Sequence, residues 1–371
     1  MEKSVLELIQ AQNASAEVEA KKKAKIAFSV MFFSDLRPDI SNTEKYAFAR
    51  DISVWADQEG FEAIYLPERH FSEFGTTYAN SAVMAAYLIA QTQRIRFRTA
   101  GVSLPLHHPA EVVEWWAMND ILSGGRVDLG FGSGWSRPDF VFAPDHYQDR
   151  RKICLERITQ VQKLWCGETV AFPGVDGAVE SIKVFPRPLQ RQLNVWMLVA
   201  QNTEAFVDAG RRGYNIFTML YGYDLQALSE KIRAYRAARE EAGYDPASGI
   251  VSLMLHTLVH EDHDKVEQAV EKPFKAYLKS SVDAHVKAGL GSESGAAEPS
   301  ETDKANMLEY AYRRYCRTGA LFGSVDEARS VVDEAINAGV NDIACLMDFG
   351  ADYSLVKQSL PYLKTLVAAY R

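Results

Sequence analysis

GGRVDLGFGSGW, residues 124–135, admits two architectures. Val127, Leu129 and Phe131 form an apolar run, and Gly130, Gly132 and Gly134 punctuate its end. Glycines closing a strand suit a doubly wound dinucleotide-binding sheet, but that fold wants GxGxxG directly after its first strand. Here the spacing is GxGxG, and this is the fourth apolar run of the chain. The first, IAFSVMFF (26–33), leads into FFSDLRPD (32–39), which has no glycine.

The neighbouring runs resolve the choice. FEAIYLP (61–67) and RIRFRTAGVSLP (94–105) precede the stretch; LNVWMLVA (193–200), YNIFTML (214–220), IVSLMLHTLV (250–259) and DIACLMDFG (342–350) follow it. Helical spacing separates them. Thr43 is the expected cap of a helix with Phe48, Ile52 and Trp55 on one face, and residues 81–92 form the next. Pro109 opens another, and Cys154, Ile158, Val161 and Trp165 share a face of a fourth. Further helices are expected over 204–212, from Asp224 to 241, over 263–288, over 325–338 behind the capping box Ser324–Glu327, and at the C-terminus. Eight strand–helix alternations, with strands apolar on both faces, predict an α/β (β/α)8 barrel with insertions. GLGSESGAAEPSETDKAN (289–306) reads as a mobile insertion, and residues 1–25 as a helical, charged appendage to a barrel domain over 26–371.

Composition narrows the class. The 371 residues are 47% hydrophobic and 24% charged, with net charge −8 and no basic patch, which argues against nucleic acid as a partner. Cys154, Cys166, Cys316 and Cys345 lie far apart, form no CxxC pair and suit a reducing compartment. No run reaches the roughly 18 apolar residues of a membrane span, and VLELIQ is too short for a signal-peptide core. The expectation is a cytoplasmic protein.

Function in such barrels sits on the loops that follow the strands. These carry Phe33, Ser34 and Asp35; Glu68, Arg69, His70 and Phe71; Ala100, Gly101 and Ser103; His107 and His108; Ser133, Trp135 and Arg137; Gln201, Asn202 and Thr203; Met219 and Tyr221; and Asp348. Aromatic, amide and cationic groups dominate, without carboxylates and imidazoles at metal-ligand spacing, so no metal is expected. His107-His108 reads as a loop before the Pro109 helix. There is no GxSxG. A flat, phosphorylated organic cofactor fits this set, with Arg150 and Arg151 at one helix start and Asn202 and Thr203 at another to hold a phosphate.

ERHFSEFG (68–75), TAGVSLPLHHP (99–109), GGRVDLGFGSGW (124–135), FGSVDEA (322–328) and AGVNDIACLMDFG (338–350) occur in one order and spacing. Together they resemble the bacterial luciferase-like flavin-dependent monooxygenases over residues 26–371. PERHF with GSGWSRPDF is most similar to the branch that serves polyketide and nonribosomal-peptide assembly lines. The resemblance implies reduced FMN supplied by a separate flavin reductase, molecular oxygen, and a homodimer. It implies a non-proline cis peptide at Ala100–Gly101, with Gly101 leaving room for the flavin ring. It places phosphate contacts at Arg150 or Arg151, Gln201, Asn202 and Thr203. Ser133 stands where luciferase has a phosphate-binding arginine, and Arg137 is the expected compensation. Phe33, Phe71, Trp135, Met219 and Tyr221 would line the substrate pocket, with Phe71 and Phe74 excluding water.

One departure matters. Where the family pattern has two adjacent histidines, this chain has Arg69 and His70. Arginine cannot serve as a general base but can stabilise a developing oxyanion, while His70 can donate or accept a proton. Glu68 completes the catalytic candidates; the competing structural reading is a Glu68–Arg69 salt bridge. The exchange favours hydroxylation, or oxygen insertion beside a carbonyl, over aldehyde oxidation with light emission. An acyl or peptidyl carrier protein is the expected bearer of the substrate. The alternatives are a deazaflavin-dependent hydride-transfer enzyme and a non-catalytic flavin-binding protein.

Overall fold

The computed structural model describes residues 26–33, 37–72, 76–287 and 300–371. The 1–25 appendage, Ser34, Asp35 and Phe74 lie outside these residues.

Eight parallel strands close a barrel: β1 (Ala27–Met31), β2 (Ala63–Leu66), β3 (Arg96–Thr99), β4 (Val127–Gly132), β5 (Val195–Leu198), β6 (Asn215–Met219), β7 (Val251–Val259) and β8 (Asp342–Leu346). Each pairs with the next, and β8 returns to β1 with Ala27 opposite Asp342 and Met31 opposite Leu346. Around them lie α1 (Asn42–Gln58), α2 (Ser81–Ile89), α3 (Pro109–Ser123), α4 (Arg150–Cys166), α5 (Thr203–Arg211), α6 (Leu225–Glu241), α7 (His263–Lys287), α8 (Glu301–Thr318), α9 (Val325–Ala338) and α10 (Tyr353–Ala368).

Local chemistry moves several boundaries. Ser41, not Thr43, caps α1, because Glu44 three residues on completes a capping box. The third run breaks at Ala100–Gly101, and Val102–Ser103 forms a separate short strand on β4. The expected loop over 289–306 is cut short: Ser300 and Asp303 form a capping box, and 301–306 belong to α8. Residues 289–299 lie outside the described chain. A hairpin of Val170–Pro173 with Val179–Ile182, and a strand Ala320–Gly323 beside the end of β7, were not expected. All three strands are four residues long, too short for a periodicity signal.

The lower barrel is filled by paired charge. Arg98 on β3 donates to Asp128 (2.9 Å) and Glu62 (3.0 Å) and lies 3.4 Å from Asp342. Asp342 also accepts from Ser29 (2.9 Å) and Tyr65 (3.1 Å). Burial raises the Asp342 carboxyl pKa in spite of Arg98 and the hydroxyls; burial likewise opposes ionisation of Asp128, but Arg96 and Arg98 hold its pKa below the usual range. With its charges paired at this end, the barrel leaves the opposite rim for function.

Candidate active site

The chain leaving β2 sends consecutive side chains in different directions. The backbone N–H of Arg69 is fixed by Tyr78 O at 3.0 Å. Its guanidinium enters the barrel mouth, 4.4 Å from the Trp135 ring centre and 5.3 Å from that of Phe33, and the residue is only 7% exposed. Burial lowers its pKa, countered by Asp139 and Tyr277. Phe33 is held in place by its N–H bond to Asp348 (2.6 Å), and its ring meets the edge of Tyr277 from α7. A desolvated cation on an aromatic face thus stands at the top of the barrel.

Glu68 does not pair with Arg69. Its Oε1 lies 3.0 Å from His70 Nε2 and 2.8 Å from His107 Nε2. Burial opposes ionisation of Glu68, but the bonds from His107 and His70 outweigh it and lower the pKa. For His107 burial is likewise outweighed by Glu68, and its pKa rises. The expected His107-His108 loop divides by role: His108 caps α3 by accepting from Ala110 N–H, whereas His107 turns to the carboxylate. The three ligand-type atoms lie within 4.8 Å of one another, so the rim does hold a carboxylate and two imidazoles at metal-ligand spacing, contrary to the sequence expectation; the loop before α3 brings His107 to Glu68 across 39 positions. Phe142 meets His70 edge-on at 5.0 Å. Phe71 is not a water-excluding wall: it is 63% exposed, at φ +51, and leans on Phe142 at the outer lip.

Two guanidinium groups gather on Tyr147. Arg150 lies 4.3 Å and Arg137 5.3 Å from its ring centre. Neither has a carboxylate partner among the described residues, and Arg150 Nε is buried without a hydrogen bond. Such a pair, with one orphaned donor, fits an anionic group. Arg151 is exposed. In the loop after the neighbouring strand, β5, Asn202 caps α5 through Glu204 N–H (2.9 Å), and Gln201 reaches Tyr221 O (2.9 Å). Lys231 of α6 bonds Gln201 O (2.8 Å) and Thr203 Oγ1 (2.9 Å), adding a cation there. These residues fit a phosphorylated flavin.

The expected cis bond at Ala100–Gly101 is absent. Among the described residues the cis peptide is Phe185–Pro186, and the 100–101 bond is trans, with Gly101 at φ +111. A Cβ on Gly101 would stand 2.8 Å from Leu198 Cδ2, so the first group it makes room for is protein. Ser133, Trp135, Met219 and Tyr221 are half-buried around the mouth, as is Phe33.

Sequence reading missed four residues. Lys231 looks like any helix-surface lysine. Asp139, which accepts from Ser136 at 2.8 Å, has its pKa raised chiefly by burial and faces both His70 and Arg69. Tyr277 sits on a helix with no local mark of function. His256 on β7 is buried among Phe274, Tyr277, Tyr315 and Phe349, with neither ring nitrogen bonded and its pKa pushed down to about 3.

The luciferase-like monooxygenase family model matches residues 26–342. The alkanal monooxygenase alpha chain of Photobacterium leiognathi is 28% identical over 63% of this chain and 66% of its own length. The 4-hydroxyprotoasukamycin monooxygenase of Streptomyces nodosus subsp. asukaensis is 32% identical over 39% of this chain and 38% of its own length. The alignments therefore span just under two thirds of the first relative and under two fifths of the second. The crystal structure of monooxygenase RslO1 from Streptomyces bottropensis superposes with a TM-score of 0.78 at 20% identity, covering 93% of this chain and 99% of that one, and shares the fold. With a family match over most of its length, the chain belongs to the luciferase-like monooxygenases.

Proposed function

We propose that this protein is the oxygenase component of a two-component system that takes reduced FMN from a separate reductase and transfers one atom of dioxygen to a carbonyl-bearing substrate. The observation that carries this reading is the Arg69 guanidinium held in the barrel mouth between Phe33 and Trp135. Reduced FMN supplies the electrons that activate oxygen. Arg137 and Arg150 around Tyr147, with Gln201, Asn202, Thr203 and Lys231, would hold its phosphate. Arg69 supplies fixed positive charge where negative charge develops, at an effective dielectric well below that of water. It cannot take a proton, so acid–base work falls to His70, backed by Glu68. Trp135, Phe33 and Met219 shape the space above the strands.

The test is Arg69→Lys, which keeps the charge and loses the planar fork. Reduced FMN, air and acyl thioester probes are supplied; FMN affinity, oxygen uptake, hydrogen peroxide and oxygenated product are measured. The expected result is unchanged FMN affinity with product per oxygen falling several-fold. Normal coupling in Arg69→Ala would make the residue a structural brace. Turnover without oxygen would favour deazaflavin-type hydride transfer.

The substrate is proposed to be an acyl or aminoacyl thioester on a carrier protein, supported by the resemblance to the assembly-line branch. The same acyl group is offered free, on pantetheine and on carrier protein. Equal efficiency with the free acid would defeat this part. A homodimer is proposed through α2 and α3, where Val83, Tyr87, Met118, Ile121 and Leu122 form exposed apolar surface on adjacent helices tied by Asn119 to Ala82 O.

A further inference from the structure

We infer that His107 is a positioning residue for His70, acting through the carboxylate they share; its catalytic meaning rests on the acid–base role given to His70 above. One oxygen carries the argument. Glu68 Oε1 lies 3.0 Å from His70 Nε2 and 2.8 Å from His107 Nε2. A carboxylate oxygen accepts and cannot donate, so each imidazole presents N–H at Nε2. A neutral imidazole with its proton on Nε2 keeps its lone pair on Nδ1. His70 Nδ1 has no hydrogen-bond partner among the described residues, so the basic nitrogen of His70 is Nδ1.

A carboxylate held by one partner can turn about its side-chain bonds; one held from two sides cannot without losing a bond. The second hold comes from His107, which is itself fixed. Its N–H bonds Leu104 O (3.2 Å), its carbonyl accepts from Arg157 (2.7 Å), and its ring meets Trp115 edge-on at 5.5 Å. The loop before α3 therefore sets the tautomer of a residue on the loop after β2. The surrounding charges are Glu68 and Asp139 toward His70, with Arg69 beside them, and Glu111 and Arg157 toward His107. Glu68 is anionic, so it steadies a proton arriving at His70 Nδ1 without leaving its place.

Sequence gives no hint of this. His107 lies 39 positions from Glu68 and stands beside a histidine that only caps a helix.

The experiment uses the full chain with 15N-labelled imidazoles, without substrate, read by NMR across pH. Wild-type His70 should carry its proton on Nε2 above its midpoint. His107→Phe leaves Glu68 to His70 alone; the His70 midpoint should rise by about one pH unit and the tautomers should mix. His107→Gln, whose amide N–H reaches near the Nε2 position, should restore the wild-type pattern. In air, oxidation of reduced FMN should shift its pH profile in step, with FMN affinity within about twofold. Proton on Nδ1 in the wild type, an unmoved midpoint in His107→Phe, or zinc displacing the Nε2 protons at micromolar concentration would each overturn the inference. If the NMR result holds and the oxidation profile does not move, positioning stands and His70 loses its catalytic role. If His107→Phe does not fold, His107→Leu replaces it: a raised His70 midpoint with mixed tautomers supports the inference and an unmoved midpoint refutes it.

Discussion

Gly101→Ala separates two explanations of one glycine. If Gly101 only makes room for a flavin ring, alanine should cost FMN affinity and leave the apo-protein as stable as before. The geometry says otherwise. The backbone at φ +111 lies where L-residues are strained, at about 1–3 kcal/mol. The new methyl would stand 2.8 Å from Leu198 Cδ2 and 3.4 Å from its Cβ. Leu198 is half-buried and can swing in part, so crowding should add about 1 kcal/mol, the low end for overpacking. The expected loss is about 2–4 kcal/mol in urea denaturation of the apo-protein, with unchanged m-value. Leu198→Ala in the same chain should recover the crowding share, about 1 kcal/mol, and not the backbone share. An apo-protein within about 0.5 kcal/mol of wild type would refute the argument and return Gly101 to the flavin.

Arg150→Ala should weaken FMN binding by about 1.5–3 kcal/mol, roughly tenfold to 150-fold by fluorescence titration, while exposed Arg151→Ala should change little. Leu122→Glu places a charge on the exposed α2–α3 face; sedimentation should show a dimer for the wild type and a monomer for the variant, with the circular dichroism spectrum unchanged. Asp57 accepts from the backbone N–H groups of Gln93, Arg94 and Ile95 at 3.0, 2.7 and 2.7 Å; burial opposes its ionisation, but these bonds lower its pKa below 3.8. Its stabilisation is therefore full above pH about 4 and lost as pH falls through the lowered value, and Asp57→Asn should cost about 1–2 kcal/mol at pH 7 and flatten the acid limb of stability.

The barrel was legible because parallel strands covered on both faces are apolar throughout, as in YNIFTML, and because capping residues such as Asp224 and Ser324 mark helix starts. The rim residues followed from topology: a strand end is a place in the mouth. What each side chain does there was not legible. Arg69 and His70 are adjacent in sequence yet enter different surroundings, a separation that depends on the loop bond from Arg69 N to Tyr78 O. Glu68 was as well placed on paper to meet Arg69 as a histidine. The charged lower barrel was also hidden, since Arg98, Asp128 and Asp342 sit within runs that read as apolar strands.

The replacement of a histidine by Arg69 acquires a physical sense from this separation. A fixed cation and a titrating base work against each other at one position, because the charge that stabilises an oxyanion also depresses the proton affinity of a neighbouring imidazole. Here the cation points into the barrel against Trp135, while the imidazole turns aside to Glu68. Asp139 interacts electrostatically with both. On the proposed reading, charge stabilisation falls to Arg69 in the barrel mouth and proton handling to His70, beside the Glu68 carboxylate that His107 also bonds.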